Sequence, residues 1–238
     1  MRLGIVAAMA DEARILSKSK EPADPRGEVL IRGTALLKLS GMGPENARSA
    51  TRRLIDQGVS ALVSWGIAGG LNSTLYAGCL IIPRNVIAAD GSVYPTDTAW
   101  RERLSGSLAA RIAVNDGDLA ECDSIIADKP KKLKILAQTG AAGIDMESAA
   151  VAREAVKAGI PFLAVRAIAD TLEAPVPVSA LESIDAFGRV RLFRLMLRLV
   201  WWPGEIAGLI RLGKNYRAAL KALQVAAVAE GNMLCFTE

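Results

Sequence analysis

Three acidic residues stand directly after apolar segments of the chain, where their side chains could do acid–base chemistry: Glu12, Glu147 and Asp170. Each also has an ordinary explanation, because acidic residues are common in the first turn of a helix and as N-caps. In an open α/β sheet, however, the carboxyl ends of parallel strands meet at one edge, where ligands bind. We therefore expect the three carboxyl groups to share a cleft.

The 238-residue sequence contains no histidine, which excludes several familiar kinds of active site. Ser-His-Asp triads, Cys-His dyads and His-ligated zinc or haem all need an imidazole. Acid–base chemistry in this protein must therefore depend on carboxylates, Lys, Tyr, Cys or water.

The elements that would position these residues follow from the alternation of apolar strand-like segments with amphipathic helical segments. The predicted strands are Arg2–Ala8, Val29–Arg32, Ala35–Ser40, Ser60–Trp65, Cys79–Ala89 and Pro161–Ala169, and the predicted helices are Pro44–Gln57, Lys129–Gln138 and Glu147–Ala158. Gly-rich turns are predicted at Gly41–Gly43 and Gly66–Gly70. This order predicts an α/β protein with a mainly parallel sheet.

Composition and cysteine content suit a folded protein of a reducing compartment. Hydrophobic residues make up 51% of the chain and the net charge is only +4, which excludes a disordered chain. The three cysteines, Cys79, Cys122 and Cys235, are odd in number and lack a C-x-x-C spacing, so we expect a cytoplasmic protein without disulfides. No signal peptide and no spanning helix are expected.

The positive charge is concentrated at the C-terminal end. Residues 185–238 hold eight basic and four acidic residues, so the rest of the chain is neutral. Asp185–Val200 reads as an amphipathic helix with a basic stripe, followed by Trp201 and Trp202, and two further helices are predicted at Glu205–Gly213 and Asn215–Ala229. We predict a catalytic domain over 1–184 and a basic helical extension over 185–238.

Three explanations of this extension remain open. A basic amphipathic helix with tryptophans is typical of a membrane interface. Packing against the domain or at a dimer seam is the commoner fate of an amphipathic helix. Nucleic-acid binding is the third explanation and ranks lowest, because no recognised nucleic-acid motif accompanies the charge.

Four motifs carry a resemblance to a known family: Val6–Glu12, Trp65–Leu71, Ile144–Ala150 and Val165–Asp170. In order and spacing they resemble the purine nucleoside phosphorylase/nucleosidase superfamily, and within it the methylthioadenosine/S-adenosylhomocysteine nucleosidases. The resemblance covers about residues 1–175. It implies a three-layer α/β/α sandwich with a central mixed, mainly parallel sheet, no cofactor, no metal ion and a homodimer.

The resemblance also implies roles for individual residues in cleaving an N-glycosidic bond. Asp170 would protonate or hydrogen bond purine N7, and Glu147 would hold the ribose hydroxyls with Met146 packed under the sugar. Glu12 would activate the attacking water. The remaining residues implied to bind substrate are Met9, Ala68 and Gly69.

Departures from the phosphorylases of this superfamily favour water over phosphate as the nucleophile. Their N-terminal Gly-Asp-Pro-x-Arg phosphate loop is absent, and the apolar Ile67 cannot hydrogen bond phosphate. The backbone amides of Gly41 and Gly43 could still bind an anion or a water, so phosphate stays open as a co-substrate.

A narrower resemblance concerns the substrate. The turn Ser40–Ala47, the segment Gly140–Glu147 and the basic tail resemble the hopanoid-associated phosphorylases, which implies release of adenine from adenosylhopane, a lipid-linked nucleoside. The residues expected to contact the inner face of the membrane are Arg194, Arg198, Trp201 and Trp202. The alternatives are a soluble methylthioadenosine/S-adenosylhomocysteine nucleosidase and a non-catalytic membrane-peripheral scaffold.

Overall fold

The computed structural model describes residues 2–17, 28–31, 35–173 and 206–228, of which 28–31 are described by their backbone alone. The helices are α1 (Ala10–Leu16), α2 (Pro44–Asp56), α3 (Thr98–Leu108), α4 (Lys129–Thr139), α5 (Ser148–Ala158) and α6 (Ile206–Val228). The strands are β1 (Leu3–Ala7), β2 (Glu28–Ile31), β3 (Ala35–Leu39), β4 (Ala61–Gly70), β5 (Leu80–Ile81), β6 (Asn85–Ile87), β7 (Val93–Pro95), β8 (Val114–Asn115), β9 (Leu119–Glu121), β10 (Gly143–Asp145) and β11 (Phe162–Asp170).

One mixed sheet contains all the strands of the described residues, and β4 lies at its centre. Strand β1 pairs in parallel with β3 and with β4, and β11 pairs in parallel with the other edge of β4. On the edge shared with β1, the last residues of β4 continue past β1 and pair antiparallel with β10. Most pairs are parallel, as predicted, and the antiparallel ones lie at β2, β7, β10 and β5.

Helices cover both faces of the sheet, so the predicted three-layer α/β/α architecture is confirmed. Alternate residues of β4 point into different cores: Val63 and Trp65 into one, Leu62 into the other. The first core receives α1, α3 and α6, and the second receives α2 and α5. Such alternation follows from the two-residue period of a strand buried on both faces.

Several helix boundaries follow local signals that the sequence carries. Helix α2 begins at Pro44, where the fixed φ of proline suits the first helical position. Helix α5 ends before Gly159, whose φ of 66° is the left-handed conformation that glycine tolerates best. The predictions of helices at residues 44–57, 129–138 and 147–158 are accurate to within two residues.

Three predictions of local structure were wrong. Gly66–Gly70 is the end of strand β4 rather than a turn, because pairing with β10 and β11 extends the strand through the glycines. The segment predicted as one strand over 79–89 is two short strands, β5 and β6, separated around Pro83, a residue that has no N–H to donate to a sheet. The two helices predicted over 205–229 form one continuous helix, α6.

Helix α6 is part of the core. Its residues Ala219, Ala222, Leu223, Ala226 and Ala227 lie in the same cluster as α1 and β11. Tyr216 donates a hydrogen bond to Asp11 of α1, 3.2 Å away. The predicted boundary between 184 and 185 and the predicted helix over 185–200 lie outside the described residues.

Candidate active site

Glu12 is held by backbone amides at the start of α1. It is the third residue of that helix and only 1% exposed. Its Oε2 accepts hydrogen bonds from the amides of Ala8 (3.1 Å) and Met9 (2.9 Å), and its Oε1 accepts one from the amide of Ile67 on β4 (2.9 Å). Burial raises the pKa of Glu12 above its usual value, while Arg166 and the three amides oppose this increase. A buried carboxyl with a raised pKa is suited to take up a proton near neutral pH.

Gly66 leaves the space that Glu12 occupies. A Cβ at this position would come within 2.6 Å of the Glu12 Oε1 and would also contact the Arg166 guanidinium. The absence of a side chain in the middle of β4 is therefore required by the site, since a glycine otherwise weakens a strand.

Glu147 faces the same region from the start of α5. The residue is 6% exposed, and its Oε1 accepts a hydrogen bond from the Gly43 amide at 2.9 Å. Burial raises the pKa of Glu147 to about 7, with smaller increases from the neighbouring Asp145 and Glu12 and an opposing effect of Arg166. The two glutamate carboxyl groups therefore interact electrostatically and belong to one site.

Arg166, which is not among the residues predicted from the sequence, connects these groups. Its side chain is 1% exposed, and Nη2 lies 2.6 Å from the Asp145 Oδ2 and 3.6 Å from the Glu147 Oε2. Nη2 also donates to the Ser64 hydroxyl at 2.7 Å. Ser148 completes the network, since its hydroxyl donates to Asp145 at 2.5 Å. A guanidinium can be buried in this way only because its donors have partners.

The sequence did contain a signal for Arg166. It is the one charged residue within the apolar stretch of β11, whose neighbours on both sides are buried. A charge inside a strand that is buried on both faces needs an ionic partner, and Asp145 is that partner.

Asp170 ends β11 and is paired with a buried lysine. Lys132 of α4 is completely buried, and its Nζ donates to the Asp170 Oδ2. Burial raises the pKa of Asp170 above its usual value, and the Lys132 ammonium lowers it. Lys132 is the second residue that sequence reasoning missed.

Asp170 lies further along the sheet than the two glutamates. It pairs with Gly69 of β4, whereas Arg166 pairs with Gly66. Three residues of strand correspond to about 10 Å. A Cβ on Gly69 would lie 3.1 Å from each Asp170 carboxyl oxygen, so this glycine also gives space to a carboxylate.

Cys122 indicates that both groups of acids border one region. Burial raises the pKa of its thiol, and the charges of Asp145, Glu147 and Asp170 raise it further. Its Sγ also donates to the Asp145 carbonyl oxygen at 3.3 Å. The thiol is therefore within electrostatic range of carboxylates from both groups.

The other residues predicted to bind substrate lie around this region with different environments. Met9 is the N-cap of α1, and Met146 is partly exposed between β10 and α5. The methyl group of Ala68 lies in the second core. Gly43 directs its amide at Glu147, while Gly41 has a φ of 84° in the same turn. Arg194, Arg198, Trp201 and Trp202 lie outside the described residues.

The described parts of the chain hold neither a spanning helix nor a metal site. Within them, no helix combines the length and the apolar character that crossing a bilayer requires. No group of three Cys, Asp or Glu side chains there is arranged to hold a metal ion.

Comparison with known proteins identifies the family. The model of the phosphorylase superfamily matches residues 2–200. This chain belongs to the phosphorylase superfamily. The match confirms the superfamily resemblance that the four motifs carry.

Individual members of the superfamily resemble the chain over most of its length. A 5′-methylthioadenosine/S-adenosylhomocysteine nucleosidase of Actinobacillus succinogenes is 29% identical to this chain, in an alignment that covers 78% of this chain and 96% of the relative. The nucleosidase of the same name from Staphylococcus epidermidis is 24% identical, in an alignment that covers 77% of this chain and 92% of the relative.

Solved structures share the fold. The Neisseria meningitidis 5′-methylthioadenosine/S-adenosylhomocysteine nucleosidase in complex with methylthio-immucillin-A has a TM-score of 0.71 at 19% identity, covering 95% of this chain and 97% of that one. Native futalosine hydrolase of Helicobacter pylori has a TM-score of 0.67 at 18% identity, covering 96% and 97%.

Proposed function

We propose that this protein is an N-ribosyl hydrolase that cleaves the N-glycosidic bond of an adenine nucleoside. The observation that carries the proposal is the pair of buried glutamates, Glu12 and Glu147, both close to Arg166, with Asp170 further along the strand that carries Arg166. The nucleosidases among the relatives support the same chemistry.

Each carboxyl group has one task in this reaction. Asp170 gives its proton to N7 of adenine, so that the base leaves without a full negative charge. The electron pair of the broken bond goes to the base, and the ribosyl carbon becomes oxocarbenium-like. Glu147 accepts hydrogen bonds from the ribose hydroxyls, and Glu12 takes a proton from the attacking water.

Electrostatics supports water over phosphate as the nucleophile. The Gly43 amide, which could have bound an anion, already donates to Glu147. A phosphate in that turn would therefore lie against a carboxylate. Arg166 offers little compensation, because Asp145 already neutralises its charge. Two like charges 4 Å apart would repel each other by about 4 kcal/mol in such a site.

The cost of burying these acids argues against a non-catalytic scaffold. Glu12 and Glu147 are 1% and 6% exposed, and burial raises both pKa values. Desolvating a carboxylate lowers the stability of the fold, and a scaffold would gain nothing from that loss.

The finer proposal concerns the 5′ substituent of the nucleoside. We propose adenosylhopane, with the enzyme in the cytoplasm at the inner face of the membrane. The outer face of α6 supports membrane contact: Arg211, Lys214, Arg217 and Lys221 are exposed at three- and four-residue spacing, and the helix has no acidic residue. Ile206 and Ile210 at its N-terminal end are also exposed. The nucleosidase relatives favour the second candidate, methylthioadenosine or S-adenosylhomocysteine.

Adenine release by purified protein tests the general proposal. We expect wild type to release adenine from at least one of the two substrates, and D170N and E12Q to lose roughly 100-fold or more in kcat. Circular dichroism and a thermal melt show whether each variant is folded, which is needed for D170N because it removes the charge partner of buried Lys132. Turnover of folded D170N at the wild-type rate would contradict the role of Asp170.

The same assay separates the two substrates and the two nucleophiles. Methylthioadenosine and detergent-solubilised adenosylhopane are compared with and without phosphate, and the sugar product is identified by mass spectrometry. We expect the lipid substrate to have the higher kcat/KM and the product to be a free ribosyl compound. A phosphoribosyl product would overturn hydrolysis, and a preference for methylthioadenosine would overturn the lipid substrate.

A further inference from the structure

Helix α4 carries four lysines, and Lys132 is the buried one. Helix α4 carries Lys129, Lys131, Lys132 and Lys134, and within it only Lys132 is buried, with a side-chain exposure of 0%. Lysine is almost never completely buried unless its ammonium is paired, because desolvation of the charge is costly. The position therefore requires a specific partner.

The ammonium of Lys132 meets three acceptors, all at the end of β11. It donates to the Asp170 Oδ2, to the Asp170 carbonyl oxygen at 3.4 Å and to the Thr171 carbonyl oxygen at 3.3 Å. An ammonium has three N–H donors, so this group is satisfied by one carboxyl and the backbone that carries it. The contacts fix both the side chain and the main chain of Asp170.

A second lysine of α4 provides a natural comparison. Lys129 forms an ion pair with Glu173 at 2.7 Å, on the same helix and near the same strand end. Both partners are exposed, by 43% and 64%. An exposed pair contributes little, whereas a buried ammonium strongly affects the carboxyl beside it.

We propose that Lys132 is a positioning residue that orients Asp170 and stabilises its ionised form as the base leaves. The inference rests on the proposed function. When Asp170 gives its proton to N7, the C1′–N9 electron pair moves to adenine, the base leaves neutral, and the carboxylate left behind is paired with Lys132. Lys132 keeps its own proton throughout and binds Oδ2, so that Oδ1 serves the base.

Among the described residues, few other charged groups act on Asp170. Lys132 approaches from α4, Cys122 lies within electrostatic range near β9, and the exposed pair of Lys129 and Glu173 lies at the surface. Removing Lys132 therefore leaves Asp170 without a neighbouring cation from the described residues of α4, because the ammonium of Lys129 is paired with Glu173.

The proposal is tested on the full-length protein with K132M, K132Q and K132R, and with K129M as the control. Carbon-13 NMR of the aspartate carboxyl groups, with the Asp170 signal assigned by its loss in D170N, measures the pKa of Asp170 without substrate. We expect K132M and K132Q to raise it by about 1 unit or more, and K132R and K129M to leave it near the wild-type value.

Kinetics gives the second measurement. We expect K132M and K132Q to lose roughly 10-fold or more in kcat with a much smaller change in KM, because the transition state alone contains the new carboxylate. In K132M and K132Q the alkaline limb of the kcat/KM profile should move to higher pH by the same amount as the NMR titration, because a higher pKa keeps Asp170 protonated up to a higher pH. K132R should keep part of the wild-type kcat, and K129M should leave kcat unchanged.

Two results would overturn the role of Lys132: an Asp170 titration that is the same in K132M and wild type, or a K132M kcat equal to that of wild type. Absence of adenine release by wild type would instead contradict the proposed function, and the NMR titration would still decide whether Lys132 controls the charge on Asp170. Using two neutral variants guards against a folding defect in one of them.

Discussion

At the scale of residues, the site consists of carboxyl groups whose charge is unfavourable in a buried position and is balanced by buried cations. Arg166 faces Asp145 and Glu147, and Lys132 faces Asp170. In the proposed mechanism these carboxyl groups take the place of histidine, because burial raises their pKa values towards neutrality, where an imidazole would otherwise act.

Glu147 makes the stability of the protein depend on pH. In the unfolded chain this carboxyl loses its proton near pH 4.5, whereas burial raises its pKa to about 7 in the folded protein. Between these two pH values the folded state binds more protons than the unfolded chain. The contribution of Glu147 to the free energy of unfolding is therefore complete below pH 4.5 and is lost as the pH rises through about 7. The loss is on the order of 3 kcal/mol.

E147Q should remove this contribution. Urea unfolding is measured at several pH values from about 5 to about 8, the range in which the shifted carboxyl titrates. We expect wild type to lose stability relative to E147Q as the pH rises, because the glutamine side chain does not titrate. E102Q serves as the control, since Glu102 is 67% exposed and should leave the pH profile unchanged. A parallel pH dependence of wild type and E147Q would contradict the raised pKa.

Residues also mark the limit of what a single sequence reveals. Glu12, Glu147 and Asp170 could be selected because each follows an apolar segment at a predicted strand end. Lys132 could not be selected, because it stands between Lys131 and Lys134 in a helix rich in lysine, and only tertiary packing decides which of them is buried.

At the scale of elements, the sheet brings the acids together through β4. Its glycines accommodate Glu12 at Gly66 and Asp170 at Gly69. We interpreted these glycines from the sequence as a turn, since Gly-rich segments are typical of turns. The strand persists through them because β10 and β11 supply hydrogen-bonding partners that the local sequence does not indicate.

Helix α6 contributes to the stability of the domain. Leu223 has no exposed surface and packs in the core with α1 and β11, whereas its neighbour Gln224 is exposed. L223A should therefore lower the free energy of unfolding by about 2 to 5 kcal/mol, and Q224A should change it by about 0.5 kcal/mol or less. Urea unfolding of both variants measures this difference. Equal effects of the two substitutions would show that α6 is not part of the core.

At the scale of the whole molecule, helix α6 carries exposed positive charge on one face and contributes to the core with the other. The eight basic residues of 185–238 include the four exposed cations of α6, whose opposite face is buried. Deleting the C-terminal region would therefore remove part of the core together with the charge. Charge reversal on the exposed face leaves the core intact and is the cleaner test of membrane contact.

R211E/K214E/K221E should weaken binding to vesicles that contain anionic phospholipid. Each basic residue near such a surface contributes about 1 kcal/mol, so we expect a loss of roughly 100-fold or more at low salt. The matched control is R53E/K131E/K134E, which changes the net charge equally at exposed positions of α2 and α4. Sedimentation with vesicles measures binding. Equal losses in the two triple variants would indicate a general charge effect and contradict a membrane face on α6.

The sequence by itself determined the α/β class and the family, and it predicted three acids as the candidates for catalysis in a chain without histidine. These conclusions depend on residue type, period and order, which are local properties. Only the tertiary structure decided that Gly66–Gly70 continues a strand, that α6 belongs to the core, and that Arg166 and Lys132 balance the acids. Pairing and burial depend on residues distant in the chain: Lys132 and Asp170, 38 positions apart, form an ion pair whose strength comes from the exclusion of water around both.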